Sequence, residues 1–157
     1  MAARESSSAP ANGGCSVTVA RPQVTVTRRL TFDAAHRLHD PALSDEENRA
    51  TFGKCNNANF HGHTYTLDVS ITGLVDSRTG YVIDLGALRH TVEECVVGKL
   101  DHRNINLDVA FMRDINPTAE NIVVACWREL EPRVKPARLT RLRLWETPNN
   151  YAEYEGR

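Results

Sequence analysis

Two stretches of strict alternation most constrain what this chain can become. Val24, Val26, Leu30, Phe32 and Ala34 share one parity while Thr25, Thr27, Arg29 and Thr31 share the other. The pattern returns with Tyr65, Leu67, Val69 and Ile71 against Thr64, Thr66, Asp68 and Ser70. A period of two is what a strand with one buried face requires, so each stretch predicts a half-buried strand. Between Asp84 and Leu100 the period changes. Leu85, Leu88, Val92, Cys95, Val96 and Leu100 fall at helical spacing behind Asp84 as N-cap. A second helix is expected from Thr118 to Leu130, entered through Pro117 and burying Ile122, Val123, Cys126, Trp127 and Leu130. Alternation resumes at Leu142 and Leu144, and a last short strand from Tyr151 to Tyr154 follows the Pro148-Asn149-Asn150 turn. Strand, strand, helix, helix, strand, strand indicates an α+β domain, a four-stranded antiparallel sheet with two helices on one face.

At 157 residues, 41% of them hydrophobic and 25% charged, the chain suits one core. We place that single domain at residues 23–157. Residues 1–22 are rich in Ala, Ser, Gly and Pro and cannot offset their own ordering entropy, so a disordered N-terminal tail is expected there. A net charge of -1 provides no broad basic field; neither nucleic acid nor an anionic membrane is an indicated partner, and a small molecule is. Cys15, Cys55, Cys95 and Cys126 are spread singly, which suits a reducing compartment, and no apolar run approaches the roughly 20 residues a bilayer span needs. The expected location is cytoplasmic.

The chemistry is concentrated where the alternation is interrupted. His39 to Phe60 is a long excursion, with Ser44-Asp45-Glu46-Glu47 shaped like the capped start of a short helix, and loops of this length usually carry a site. His61-Gly62-His63 opens the second strand, so its two imidazoles project to one side of the sheet. An H-x-H pair also arises by chance, but His36 ends the first strand on the parity of Leu30, Phe32 and Ala34, and pairing the strands would bring it to the same place. Three neutral imidazoles with an open fourth position suit catalytic zinc. Cys55 stands just before them as an acid–base group, its thiol acidified by a nearby metal or imidazole, or as a fourth ligand that would close the site. Asp101 and His102 are adjacent and can act together only if a turn folds them or a third group joins them. Glu146 continues the parity of Leu142 and Leu144, and a carboxylate on that covered face needs a partner, an arginine or a ligand with paired N–H donors. His39 and His90 are read as surface residues, Cys95 and Cys126 as small core hydrophobes.

Taken together, Phe32-Asp33-Ala34-Ala35-His36-Arg37-Leu38, Leu43 to Asn48, Gly53 to Tyr65, Leu100 to Asn104, Thr118-Ala119-Glu120-Asn121 and Glu146-Thr147 closely resemble the 6-pyruvoyl tetrahydropterin synthase family, from about residue 24 to the C-terminus. The resemblance implies a tunnelling fold, in which three sheets join into a twelve-stranded barrel and two trimers stack as a homohexamer with sites between subunits. It implies conversion of 7,8-dihydroneopterin triphosphate to 6-pyruvoyl tetrahydropterin with loss of inorganic triphosphate, with Zn²⁺ and a requirement for Mg²⁺. By that similarity His36, His61 and His63 match the zinc ligands and Cys55 the general base. Asp101 and His102 match a relay that would meet Cys55 of a neighbouring chain. Glu146 matches the carboxylate that grips the pterin edge, and Thr118 and Glu120 match positions lining the same pocket.

Some positions depart from that pattern. Phe60 stands where the family commonly has Gly, so a positive φ there would strain Phe60 or reshape the loop; Ala58 and Thr64 differ from frequent choices, and Ala119 replaces a usual hydroxyl residue. Two rivals are a 6-carboxy-tetrahydropterin synthase of the same fold and a non-catalytic zinc or pterin-binding module in which Cys55 closes the metal shell. Five residues separate Cys55 from His61, an interval that resembles the pyruvoyl enzymes rather than the shorter one usual in the carboxy enzymes.

Overall fold

The two alternating stretches pair with each other, and the rest of the molecule is arranged around that pair. In the computed structural model, which describes residues 20–135 and 137–157, β1 (Gln23–His36) and β2 (His61–Leu74) run antiparallel in unbroken register from Gln23 opposite Leu74 to His36 opposite His61. The tail expected over residues 1–22 lies almost wholly outside the described residues. Because register fixes which side chains share a face, Leu30, Phe32, Ala34 and His36 stand beside His61, His63, Tyr65 and Leu67. The other face carries hydroxyls and charges, including Thr25 against Thr72, Thr27 against Ser70 and Arg29 against Asp68.

The excursion between the strands folds as α1 (Asp45–Phe52) and a 3₁₀ turn, Gly53–Asn56. Ser44 and Glu47 form the reciprocal capping box that the sequence suggests: the Glu47 N–H donates to the Ser44 hydroxyl, and the Ser44 N–H to the Glu47 carboxylate. After β2, Asp84 caps α2 (Leu85–Val92) by accepting from the Gly86 and Ala87 N–H groups. The helix widens into a π-helical turn, Glu93–Val97, and ends in a short α3 (Gly98–Leu100). Leu88, Val92, Cys95, Val96 and Leu100 are buried as their spacing predicts; Leu85, at the first turn, stays exposed.

The expected sheet of four strands is corrected to five, in the order β3-β1-β2-β4-β5. The additional β3 (Arg103–Asn104) lies parallel to β1 at Ala34 and Ala35. Two residues are too few to express a period, so no alternation signals them; the turn at His102, with φ of 57°, delivers them to the edge. The chain continues through α4 (Ile105–Asp108) to α5 (Ala119–Leu130), capped by Thr118, and returns as β4 (Arg138–Thr147) and β5 (Asn150–Tyr154). Leu139, Leu142 and Leu144 of β4 join the apolar residues of β1, β2, α2 and α5 in one core on one face of the sheet. Burial on that face holds the helices to the sheet and leaves the histidine end of β1 and β2 at the core's rim. No helix among the described residues is long and apolar enough to cross a membrane.

Candidate metal centre and active site

His36 and His61 face each other at the end of the β1–β2 ladder, and His63 stands one pleat back on the same side. Ring centroids are 4.5 Å apart for His36 and His61, 4.9 Å for His61 and His63, and 5.1 Å for His36 and His63. One ring nitrogen from each lies within 4.8 Å of the other two. His36 is fully buried, and its Nδ1 donates to the Pro117 carbonyl at 2.8 Å, which leaves the Nε2 lone pair facing His61 Nε2 at 3.0 Å. Burial, opposed by the hydrogen bond to Pro117 and aided by His61 and His63, brings the His36 pKa down to about 4; burial, then the neighbouring His63, also lowers His61. Those two rings are therefore neutral near pH 7, the form that binds metals.

Two ring nitrogens, His61 Nδ1 and His63 Nε2, are buried with no hydrogen-bond partner. An unpaired buried acceptor or donor costs about 1–3 kcal/mol, a penalty a cation removes at His63 Nε2; His61 turns its Nε2, not its Nδ1, to His36. Nitrogens bound to zinc at about 2.0–2.1 Å in a tetrahedral shell stand roughly 3.3–3.4 Å apart, inside the range these rings span. The donor set fits a divalent zinc-type ion.

The other predicted residues are spread around this centre. Glu146 does point to the covered face, where its Oε1 lies 3.5 Å from His36 Nε2 and 3.9 Å from His63 Nε2; it meets imidazoles and not an arginine. The β2–β4 ladder ends at Thr66 opposite Trp145. Beyond it the strands no longer pair, and the gap forms a hollow of about 610 Å³ lined by His63, Glu146, Thr64, Thr66, Arg29 and Trp145. A planar ligand entering there would meet the Glu146 carboxylate and the His63 imidazole together. Cys55, a half-buried free thiol on the 3₁₀ turn, lines a second hollow with His61 and His63. Cys126 contrasts with it, fully buried on α5, its thiol pushed up to about 12 by that burial.

Asp101 and His102 do pair, Oδ1 to Nδ1 at 3.0 Å, and they line up with a third hollow that His102 shares with His63. The Asp33 N–H, donating to Asp101 at 2.9 Å, holds that carboxyl below its usual range, and His102 adds to the effect. His102 and Cys55 thus line different hollows of one protomer, with His63 on both. Thr118 is occupied as the cap of α5, its Oγ1 accepting from the Asn121 N–H, and Glu120 is exposed in the first turn of that helix. Neither lines the three hollows around the histidines.

Several contributors escaped sequence reasoning. The Pro117 carbonyl that fixes the His36 tautomer is a main-chain group and leaves no side-chain signal. Tyr65 could have been found, since it shares the parity of His61 and His63: it is fully buried, stacked on Phe32 at 5.0 Å and edge-on to His63, with an unpartnered hydroxyl. His39, read as a surface residue, is half-buried, and its Nδ1 meets Asn56 Nδ2 at 3.1 Å. His90 is on the solvent side of α2, beside Glu94. Phe60, immediately before His61, has φ of 63°, the strained conformation anticipated if that position turned left-handed.

Known proteins resemble this chain over most of its length. The model of the family described as 6-pyruvoyl tetrahydropterin synthase matches residues 25–157. A 6-pyruvoyl tetrahydrobiopterin synthase of Homo sapiens is 42% identical over 136 residues, 87% of this chain and 94% of that protein. The solved structure of the Caenorhabditis elegans 6-pyruvoyl tetrahydropterin synthase superposes with a TM-score of 0.83 at 40% identity, covering 88% of this chain and 99% of that one. A 6-carboxy-5,6,7,8-tetrahydropterin synthase of Rickettsia conorii is 28% identical over 148 residues, 83% of this chain and 99% of that protein.

Proposed function

Because the chain belongs to the 6-pyruvoyl tetrahydropterin synthase family, we propose that it acts in tetrahydrobiopterin biosynthesis as a carbon–oxygen lyase, converting 7,8-dihydroneopterin triphosphate to 6-pyruvoyl tetrahydropterin and inorganic triphosphate. The observation that carries the mechanism is the convergence of His36, His61 and His63, with the buried His63 Nε2 left without a hydrogen bond. These residues would hold Zn²⁺, which when bound acidifies hydroxyls and adjacent C–H bonds of a ligand in its open position.

The chain's own groups divide the remaining work. Glu146, at the mouth of the hollow beside His63, would orient the substrate by accepting from the paired N–H groups of the pterin's amino-pyrimidinone edge. Cys55, in a separate hollow with His61 and His63, would take up a proton from the substrate side chain, and Asp101 with His102 would supply or remove the proton that resets it. Thr118 and Glu120 would complete the pterin pocket of another subunit, which accords with their positions away from this protomer's hollows. Lys54 neighbours Cys55 and is exposed, a candidate for the triphosphate; the Arg37 guanidinium is engaged with the Asn56 carbonyl at 3.1 Å. Mg²⁺ would accompany the triphosphate as a separate requirement.

A homohexamer of two stacked trimers is part of the proposal. In its support, β3 covers the outer edge of β1 only at Ala34 and Ala35, and β5 is the other edge of the sheet. Exposed edges of this kind invite strand pairing between copies, and such pairing would bring one protomer's Asp101–His102 toward another's Cys55. A cytoplasmic enzyme is expected.

The decisive experiment incubates purified protein with dihydroneopterin triphosphate and identifies the pterin product. Release of inorganic triphosphate with 6-pyruvoyl tetrahydropterin is expected, and 6-carboxy-tetrahydropterin would favour the rival of the same fold. Cys55→Ala should keep zinc and assembly yet lose nearly all triphosphate release. A sulfur in the resting zinc shell, seen at the metal absorption edge, would instead make Cys55 a ligand.

A further inference from the structure

Asp33 plays no part in the proposed proton transfers, yet the groups around it converge on them. It lies in register opposite Thr64. Its N–H donates to Asp101 Oδ1 at 2.9 Å, and its carbonyl accepts the His102 N–H at 2.6 Å. With both main-chain groups turned to the outer edge of β1, Asp33 and Thr64 form a non-hydrogen-bonded pair of the antiparallel ladder, the kind whose facing side chains approach closest. They use that proximity: the Thr64 hydroxyl donates to Asp33 Oδ1 at 2.6 Å. A carboxylate oxygen of Asp33, one of Asp101 and a ring nitrogen of His102 all lie within 4.8 Å of one another. Asp33, Thr64, His63 and His102 line one hollow of about 520 Å³.

The Asp101–His102 pair needs an anchor. It precedes a two-residue edge strand, His102 is in a left-handed conformation, and its side chain is 79% exposed. Strained backbone persists only where its surroundings over-determine it, and a misplacement of about 1 Å between reacting groups can cost about a hundredfold in rate. We infer that Asp33 and Thr64 are positioning residues whose side-chain hydrogen bond braces β1 against β2 where the Asp33 main chain holds Asp101 and His102, so that the acid–base pair is presented in one fixed geometry to the neighbouring subunit's Cys55. The inference rests on the reading of Asp101 and His102 as the acid–base pair.

The test compares Asp33→Ala, Thr64→Val, the double variant and Asp33→Asn with His102→Gln, each as full chain loaded with zinc. Asp33→Ala leaves the main-chain bonds to Asp101 and His102 in place, so zinc content and melting temperature should hold while kcat falls about tenfold or more with KM nearly unchanged. Thr64→Val should do the same, and the double variant should be no worse than either single one, because both remove one link. Asp33→Asn retains an oxygen that can accept from Thr64 and should recover most of kcat. An unchanged kcat in Asp33→Ala beside an inactive His102→Gln would overturn the inference alone. Additive losses, or a kcat that falls only in step with zinc content or melting temperature, would overturn it as well. An active His102→Gln would sink the acid–base reading and this inference with it.

Discussion

The sheet carries two buried polar clusters, and they differ in whether the chain completes them. On the solvent face, Asp68 accepts Arg29 Nε and Nη2 at 2.6 and 2.8 Å and Trp145 Nε1 at 3.2 Å, so both of its oxygens are engaged. On the core face, His36, His61 and His63 come together with a neighbouring carboxylate at 3.5 Å and two buried ring nitrogens that make no hydrogen bond. Both clusters cost desolvation; only the first recovers it within the chain. A completed cluster is a structural device, and an incomplete one implies something from outside. That distinction separates Asp68, which a search for buried acids would also flag, from a functional centre.

The largest effect should come from breaking the incomplete cluster. His63→Ala removes a ligand, and because changes merely behind metal ligands cost about 10–100-fold in affinity, a loss beyond that range is expected, with turnover abolished. The metal-free protein should lose little stability, since the deleted nitrogen has no partner to abandon. Metal analysis and chelator-treated melting curves check this; a large drop in apo stability would mean the imidazoles are a completed structural cluster after all. Asp68→Ala should show the reverse. It strands the Trp145 N–H and frees Arg29, and a loss of about 2 kcal/mol is expected, toward the lower side because Arg29 is largely solvated. Metal content should stay unchanged. Its pH dependence sharpens the contrast: the hydrogen bond from Arg29 lowers the Asp68 pKa, burial opposes this, and Trp145 lowers it further. A carboxyl depressed in the folded state contributes fully above its unfolded pKa of about 3.9 and loses that contribution as pH falls through the lower folded value. The stability gap between the parent and Asp68→Asn should therefore narrow only below about pH 4, as measured by denaturant titration.

The same contrast explains what could be read beforehand. The core and the placement of His36, His61, His63 and Glu146 follow from parity; β5 and α1 were signalled by the Pro148-Asn149-Asn150 turn and by the capping box, and β1, β2, β4, α2 and α5 carried a periodic pattern. β3 did not, because two residues have no period and its place is set by the turn at His102. Nor could parity reveal that Pro117 supplies the second contact of His36, since a main-chain carbonyl brought from 81 residues away belongs to tertiary structure. His39 was misjudged for a related reason: the loop that half-buries it is held by Asn56, whose side chain bonds the Leu38 carbonyl and the His39 ring.

Phe60 lies between the two kinds of information, a sequence departure whose left-handed conformation is one of the two outcomes expected for it and whose consequence is small. A left-handed residue with a Cβ costs roughly 1–2 kcal/mol, so Phe60→Gly should relieve strain next to His61. Against this stand the extra chain entropy of glycine, about 0.5–1 kcal/mol, and the lost contact of a half-buried ring, on the order of 1 kcal/mol. The terms nearly cancel, and a net change within about 1 kcal/mol is expected by chemical denaturation, with metal content unaltered because the hydrogen bond from the Phe60 N–H to the Asn57 carbonyl does not involve the side chain. A destabilisation well beyond that would show the ring to be a packing element that holds the loop against the metal centre, and would move Phe60 from the tolerated departures to the parts that complete the site.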